Sequence, residues 1–210
     1  MTEELEEYIL RHIDAEPQHL ARLDRDTHVR LLYSHMCSGH LQGRLLKMLV
    51  RMINPRRVLE LGTYSGYATQ CLAEGLLRDD ATVDTIELED ELEDFIREHL
   101  EQSPVASRIT LHMGDAAHIV PRQGGLFDLI YIDANKRDYC AYYDLAMEHL
   151  APGGYIIADN TLWDSKVADP SAHDAQTLGI RAFNDRVAAD TRVERVILPL
   201  RDGLTLIRKL

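Results

Sequence analysis

The chain reads as an α/β protein with a seven-stranded, mostly parallel sheet that closes with an antiparallel hairpin strand. Three observations predict this. After Pro55, short apolar runs alternate five times with helical stretches, the rhythm of a parallel sheet covered on both faces. The last two apolar runs, 193–198 and 204–208, flank a turn at Asp202-Gly203. That turn leaves no room for a crossover helix, so the two runs pair antiparallel. Finally, 210 residues and 23.9 kDa suit one well-filled domain, and no linker or repeat divides the chain.

The elements follow in order. Leu5, Ile9 and Ile13 recur on one helical face before Glu16-Pro17 interrupts the chain. Leu20, Leu23, Val29, Leu31 and Leu32 continue the pattern less regularly. Residues 41–53 form a stronger helix, with Leu41, Leu45, Leu46, Leu49 and Val50 on one side and Asn54-Pro55 ending it. Residues 1–54 thus make a helical segment of the same domain, an appendage ahead of the sheet core at 55–210. In that core the strands are expected at 58–61, 82–87, 109–113, 127–133 and 155–158. Their helices are expected at 67–77, 91–101, 116–120, 139–150 and 175–189.

Composition excludes several classes. A net charge of −12 argues against a nucleic-acid-binding surface. No run approaches the roughly 18 apolar residues of a membrane span. The acidic start MTEELEEYIL is unlike a signal peptide. Cys37, Cys71 and Cys140 are odd in number and far apart, which gives no disulfide framework and points to the cytoplasm.

Polar residues gather where three strands end, and strand ends are where ligands bind in open α/β sheets. In VLELGTYSGYA, Gly62 and Gly66 bracket a strand-to-helix turn whose backbone amides suit a carboxylate or phosphate. The spacing is not GxGxxG, and Glu60 beside it repels a pyrophosphate but accepts from an ammonium group. Glu87 ends the next strand, placed to accept from ribose hydroxyls. Asp115, after the third strand, either caps the next helix or accepts from an adenine amino group.

Asp133, Asp159 and Asn160 carry the most chemistry. Two carboxylates and an amide oxygen suit Mg²⁺ or another hard divalent ion such as Ca²⁺ or Mn²⁺. Lys136 lies three residues beyond Asp133; if neutral it can take a proton from a hydroxyl. Trp163 either walls an aromatic substrate or packs under its loop. The polar loop 162–175 lies where it could gate access to the site.

Through these residues the chain resembles the cation-dependent catechol and caffeoyl-CoA O-methyltransferases of class I. The strings that carry the likeness are MCSGHLQG, VLELGTYSGYA, GDA, YIDANK and ADNTLW, with LPLRDGLTLIRK at the end. The resemblance implies a Rossmann-like methyltransferase fold, S-adenosyl-L-methionine as methyl donor and an ortho-dihydroxy aromatic acceptor. It implies metal binding by Asp133, Asp159 and Asn160, and Lys136 as general base. Glu60, Gly62 and Thr63 then meet the methionine part of the cofactor, Glu87 the ribose, and Asp115 and Ala116 the adenine. Met36 and Ser38 form the loop over the methyl donor. Asp133 also touches the cofactor, while Lys136, Asn160 and Trp163 touch the acceptor. Ala68 stands where relatives often place a carboxylate-holding serine, a contact left to Ser65 or a backbone amide. A homodimer is also implied. An NAD-dependent oxidoreductase and a noncatalytic cofactor-binding protein are the alternatives; the first lacks GxGxxG, and both leave the Asp-Asp-Asn set unused.

Overall fold

The computed structural model describes residues 3–210; Met1 and Thr2, at the start of the 1–54 segment, lie outside the described residues. Helix α1 (Glu3–Leu10) is followed by α2 (Gln18–Arg30) and α3 (Gly39–Ile53). The first helix stops at Leu10, so Ile13 lies beyond it. In α2 the buried stripe is Leu20, Leu23 and Thr27, at helical spacing. Val29, expected to extend that stripe, falls off its face and is 74% exposed, and Leu32, 81% exposed, lies past the helix end at Arg30. Asn54 closes α3 in the left-handed conformation asparagine tolerates.

The sheet follows. Strand β1 (Arg57–Leu61) leads through a glycine turn into α4 (Tyr67–Gly75). Then come β2 (Thr82–Glu87), α5 (Glu93–Glu101), β3 (Ile109–Met113) and the single turn α6 (Ala116–Ile119). The second half runs β4 (Phe127–Ile132), α7 (Tyr139–His149), β5 (Leu150–Asp159), α8 (Ala175–Ala189), β6 (Val193–Leu198) and β7 (Leu204–Lys209). Strand β5 begins earlier than its apolar run because Leu150 already pairs with Phe127, ahead of a register shift.

The seven strands lie in the order β3-β2-β1-β4-β5-β7-β6, with β7 antiparallel to both neighbours. Alternation along each strand feeds two cores. Leu59, Leu61, Ile130 and Ile132 face α7 and α8, with Tyr139, Tyr143 and Phe183. Val58, Leu129, Tyr131 and Ile157 face the other side, where α3 supplies Leu46 and Val50 and α4 supplies Leu72. Helix α3 is therefore part of the main core and not an appendage. The chain runs outward from β1 to β3 and returns to β4 beside β1. A crevice must open at the carboxyl ends of β1 and β4, where the strand order reverses.

Candidate active site

A cavity of about 800 Å³ opens at that reversal point. Its floor is Gly62 after β1 and Asp133 after β4. The β1–β4 ladder continues past both strands, with the Asp133 amide donating to the Leu61 carbonyl at 2.9 Å. Gly62 has φ +94°, and a Cβ there would lie 2.1 Å from the Asp133 carbonyl oxygen. Only glycine permits both the conformation and the approach. A small side pocket adjoins, lined by Thr63, Ser65 and Ala68 on the turn and by Met36 and Ser38 of the 33–39 loop.

The turn is held from below by acids. Glu87 Oε2 accepts from the amides of Thr63 (3.1 Å) and Tyr64 (2.7 Å), and Oε1 from those of Leu88 (2.9 Å) and Glu89 (3.0 Å). Four amide donors hold the carboxylate, and Glu87 lines the cavity wall. Glu60 lies beneath the turn and not on the cavity surface. It is fully buried and accepts from the hydroxyls of Thr69 and of Thr85 (2.6 Å). Burial pushes its carboxyl up to about 8, the two hydroxyls oppose this, and Asp133 and Glu87 add to it. Among the described residues its other oxygen, Oε1, is buried without a hydrogen-bond partner.

Asp115 caps α6, accepting from the Ala117 amide at 2.8 Å, and with Ala116 it also lines the large cavity. Both of its sequence readings are geometrically compatible.

Asp133, Lys136, Asp159, Asn160 and Trp163 meet on the opposite wall. Lys136 Nζ donates to Asp133 Oδ1 at 2.8 Å and to the Ala134 carbonyl at 3.1 Å, and lies 5.1 Å from the Tyr139 ring centre. Burial pulls the Lys136 ammonium down, but the adjoining Asp133 carboxylate and Tyr139 outweigh it, leaving the pKa raised. Asp159 is buried, and its Oδ2 accepts from Gln42 Nε2 and from the Tyr131 hydroxyl at 2.9 Å. Its Oδ1 accepts from the Asn160 amide at 2.7 Å. Burial, then repulsion from Asp133, raises the Asp159 carboxyl. Asn160 sits at φ +57°, a conformation in which asparagine is enriched.

Among the described residues, no group of three or more His, Cys, Asp or Glu is arranged to hold a metal. The relevant set is two carboxylates and an amide, and it fits a hard cation. Asp133 and Asp159 repel one another at neighbouring strand ends, and all three side chains offer oxygen donors. Trp163 Nε1 and the Tyr64 hydroxyl are buried, belong to residues lining the cavity, and have no hydrogen-bond partner among the described residues. Burial lifts the Cys37 thiol to about 11, which disfavours the thiolate.

Residues 11–210 match the family described as O-methyltransferase. The chain belongs to the O-methyltransferase family. It is 31% identical to the catechol O-methyltransferase of Niastella koreensis over 76% of this chain and 73% of that protein. It is 27% identical to the caffeoyl-CoA O-methyltransferase of Stellaria longipes, over 99% of this chain and 91% of that one. The O-methyltransferase of Bacillus cereus, solved in complex with SAH, superposes with a TM-score of 0.92 at 28% identity, covering 99% of this chain and 97% of the other. The Rossmann-like methyltransferase architecture expected from the sequence is thus the architecture of this O-methyltransferase.

Sequence reasoning missed three side chains. Gln42 holds Asp159 from the apolar stripe of α3, where Gln42, Leu46 and Val50 recur at helical spacing. That buried polar residue was the available signal. Tyr131 is a polar tip inside an apolar strand. Arg181 fixes the loop expected to gate the site: its guanidinium donates to the carbonyls of Val167 (3.0 Å), Ala172 (2.8 Å), Lys166 (2.8 Å) and Asp169. The loop is braced from α8.

Proposed function

We propose that this O-methyltransferase moves the methyl group of S-adenosylmethionine to one hydroxyl of an ortho-dihydroxy aromatic small molecule held beside a divalent cation. One observation carries the reading. Asp133 closes against the Gly62 turn through its backbone and faces Lys136 and Asp159 through its side chain, so one residue joins a cofactor-shaped turn to an acid pair.

The methionine end of the donor suits the pocket of Gly62, Thr63, Ser65 and Ala68 under Met36 and Ser38. The ribose and adenine suit the wall at Glu87, Asp115 and Ala116. Asp133, Asp159 and Asn160 would hold Mg²⁺, Ca²⁺ or Mn²⁺, which when bound supplies Lewis acidity that lowers the pKa of an acceptor hydroxyl. Asp159 offers mainly Oδ1, since Gln42 and Tyr131 occupy Oδ2. Lys136 is kept charged by Asp133, and competition for that carboxylate relaxes the hold. The ammonium can then release a proton to solvent, and the neutral amine accepts the hydroxyl proton. The acceptor oxygen bonds the methyl carbon, the carbon–sulfur bond breaks, and its electron pair stays on sulfur. The products are a methyl ether and S-adenosylhomocysteine. Trp163 walls the aromatic ring, and alignment of the two reactants supplies much of the rate.

The test is methyl transfer to catechol and to phenol, before and after chelation. Methylation of catechol alone, lost on chelation and restored by Mg²⁺, is expected. Equal turnover after exhaustive metal removal overturns the cation, and failure with every ortho-diphenol overturns the acceptor class. The homodimer belongs to the same proposal: Tyr8 and Leu10 of α1 are 53% and 38% exposed, apolar surface that two-fold pairing would cover. Light scattering at micromolar concentration should give twice 23.9 kDa; a monomer mass throughout rejects it. Among the described residues no helix is long and apolar enough to cross a membrane. The three free cysteines support placing the enzyme in a reducing cytoplasm.

A further inference from the structure

The turn between β6 and β7 carries an arginine that the mechanism above does not use. Arg201 has φ +47°, in the left-handed region a non-glycine side chain rarely adopts. Its guanidinium reaches 164 positions back along the chain. Nη1 and Nη2 donate to the Cys37 carbonyl at 3.1 and 3.2 Å, and Nη1 also donates to the Ser38 carbonyl. Among the described residues Arg201 has no carboxylate partner. A cation at the start of α3 also opposes the helix dipole. Ion pairing and dipole stabilisation therefore give no account of its position, whereas fastening the loop does.

The loop it fastens is 33–39. Left-handed Tyr33 (φ +57°) and Gly39 (φ +73°) bend the backbone at its two ends. Between them lies a short turn, Ser34–Met36, with Tyr33 68% and Met36 51% exposed. Cys37 Sγ adds only a weak contact, 4.0 Å from Ser65 Oγ. Met36 and Ser38 line both the turn pocket and the large cavity.

The other side of the hairpin turn is fixed to the acceptor wall. The Asp202 carbonyl accepts from the amides of Leu162 (2.7 Å) and Trp163 (3.2 Å), and the Gly203 carbonyl accepts from Thr161 (3.0 Å). Leu162 packs so closely that a Cβ on residue 203 would lie 2.4 Å from its Cγ. Arg201 thus spans from a base anchored beside Trp163 to the carbonyls of a loop over the turn pocket.

We propose that Arg201 is a positioning residue that latches the 33–39 loop over the methyl donor and sets how long the donor or its demethylated product stays bound. This rests on the reading of the Gly62 turn as the S-adenosylmethionine site. Release of either molecule then requires the guanidinium to let go of the Cys37 and Ser38 carbonyls. Hydrogen bonds to a charged group are the strong ones, so the latch favours the closed loop.

The test compares the wild type with Arg201→Gly and Arg201→Lys. Glycine suits the left-handed turn, so Arg201→Gly removes the guanidinium without straining the fold. S-adenosylhomocysteine binding is measured by calorimetry, its dissociation by stopped flow, and amide exchange across 33–39 by mass spectrometry. Arg201→Gly should weaken binding roughly 10-fold to 100-fold, the loss expected for charge-assisted hydrogen bonds. The change should lie in the dissociation rate, with faster exchange in the loop. Arg201→Lys should recover part of it. The acceptor KM at saturating donor should hold, as should the melting temperature. Unchanged affinity and loop exchange in a folded Arg201→Gly overturn the latch. So does a shift in acceptor KM alone, which would place Arg201 on the acceptor wall. If the wild type itself binds no S-adenosylhomocysteine, the reading of the turn fails first, before any variant is compared.

Discussion

The carbonyl oxygen of Asp133 lies 2.1 Å from where a Cβ on residue 62 would sit. That closeness locks the two strand ends of the crevice together. Gly62→Ala must push the Asp133 backbone away and also hold alanine at φ +94°. Overpacking of this kind costs roughly 1–3 kcal/mol. Displacing Asp133 by about 1 Å should lower turnover on the order of 10²-fold. Urea unfolding and methyl transfer on the same preparation check both. Full activity would show that Asp133 need not be held there.

Asp159→Asn and Asp133→Asn should each abolish most methyl transfer while leaving the fold in place. Each removes one of the two charges that the proposed cation needs. Direct titration with Mn²⁺, followed by its paramagnetic signal, should show weakened metal binding in both variants. S-adenosylhomocysteine affinity should change little in Asp159→Asn, whose side chain is held by Gln42 and Tyr131 away from the turn pocket. Normal Mn²⁺ affinity in both variants would move the metal elsewhere.

Lys136→Ala should reduce kcat by roughly 10²–10⁴-fold, the range for a positioned base. Lys136→Arg distinguishes base from charge. A guanidinium keeps the positive charge beside Asp133 but does not deprotonate, so it should fail almost as completely. Recovery of turnover in Lys136→Arg would make residue 136 an electrostatic partner of Asp133 and leave the proton to solvent.

The strands were readable because each alternates between two cores. Ile130 and Ile132 face one side while Leu129 and Tyr131 face the other. The same alternation explains the burial of Glu60. It shares a face with Val58, beneath α4, while Leu59 and Leu61 face away; Thr69 and Thr85 close over it. The placing of Asp133 and Asp159 at neighbouring strand ends was legible because each follows an apolar run directly. Arg201 was not, since nothing local marks a contact made across 164 positions. Gln42 lies between, a polar residue on an apolar stripe whose partner only the fold reveals.

Glu60 gives a stability signature that grows with pH. Its folded carboxyl is raised by burial from 4.5 to about 8. In the unfolded chain it ionises in the ordinary carboxylate range, so between those values the folded state binds more protons. Stability contributed by Glu60 is therefore complete below about pH 4.5 and is lost as pH rises toward 8, at up to about 1.4 kcal/mol per pH unit. Glu60→Gln mimics the uncharged acid at every pH and removes this slope. Urea midpoints of both proteins at pH 5.5, 7 and 8.5 are the measurement. The variant should gain on the wild type steadily as pH increases. A difference that stays constant across the three values would mean that Glu60 is already ionised in the folded protein, with its charge carried by the hydroxyls of Thr69 and Thr85.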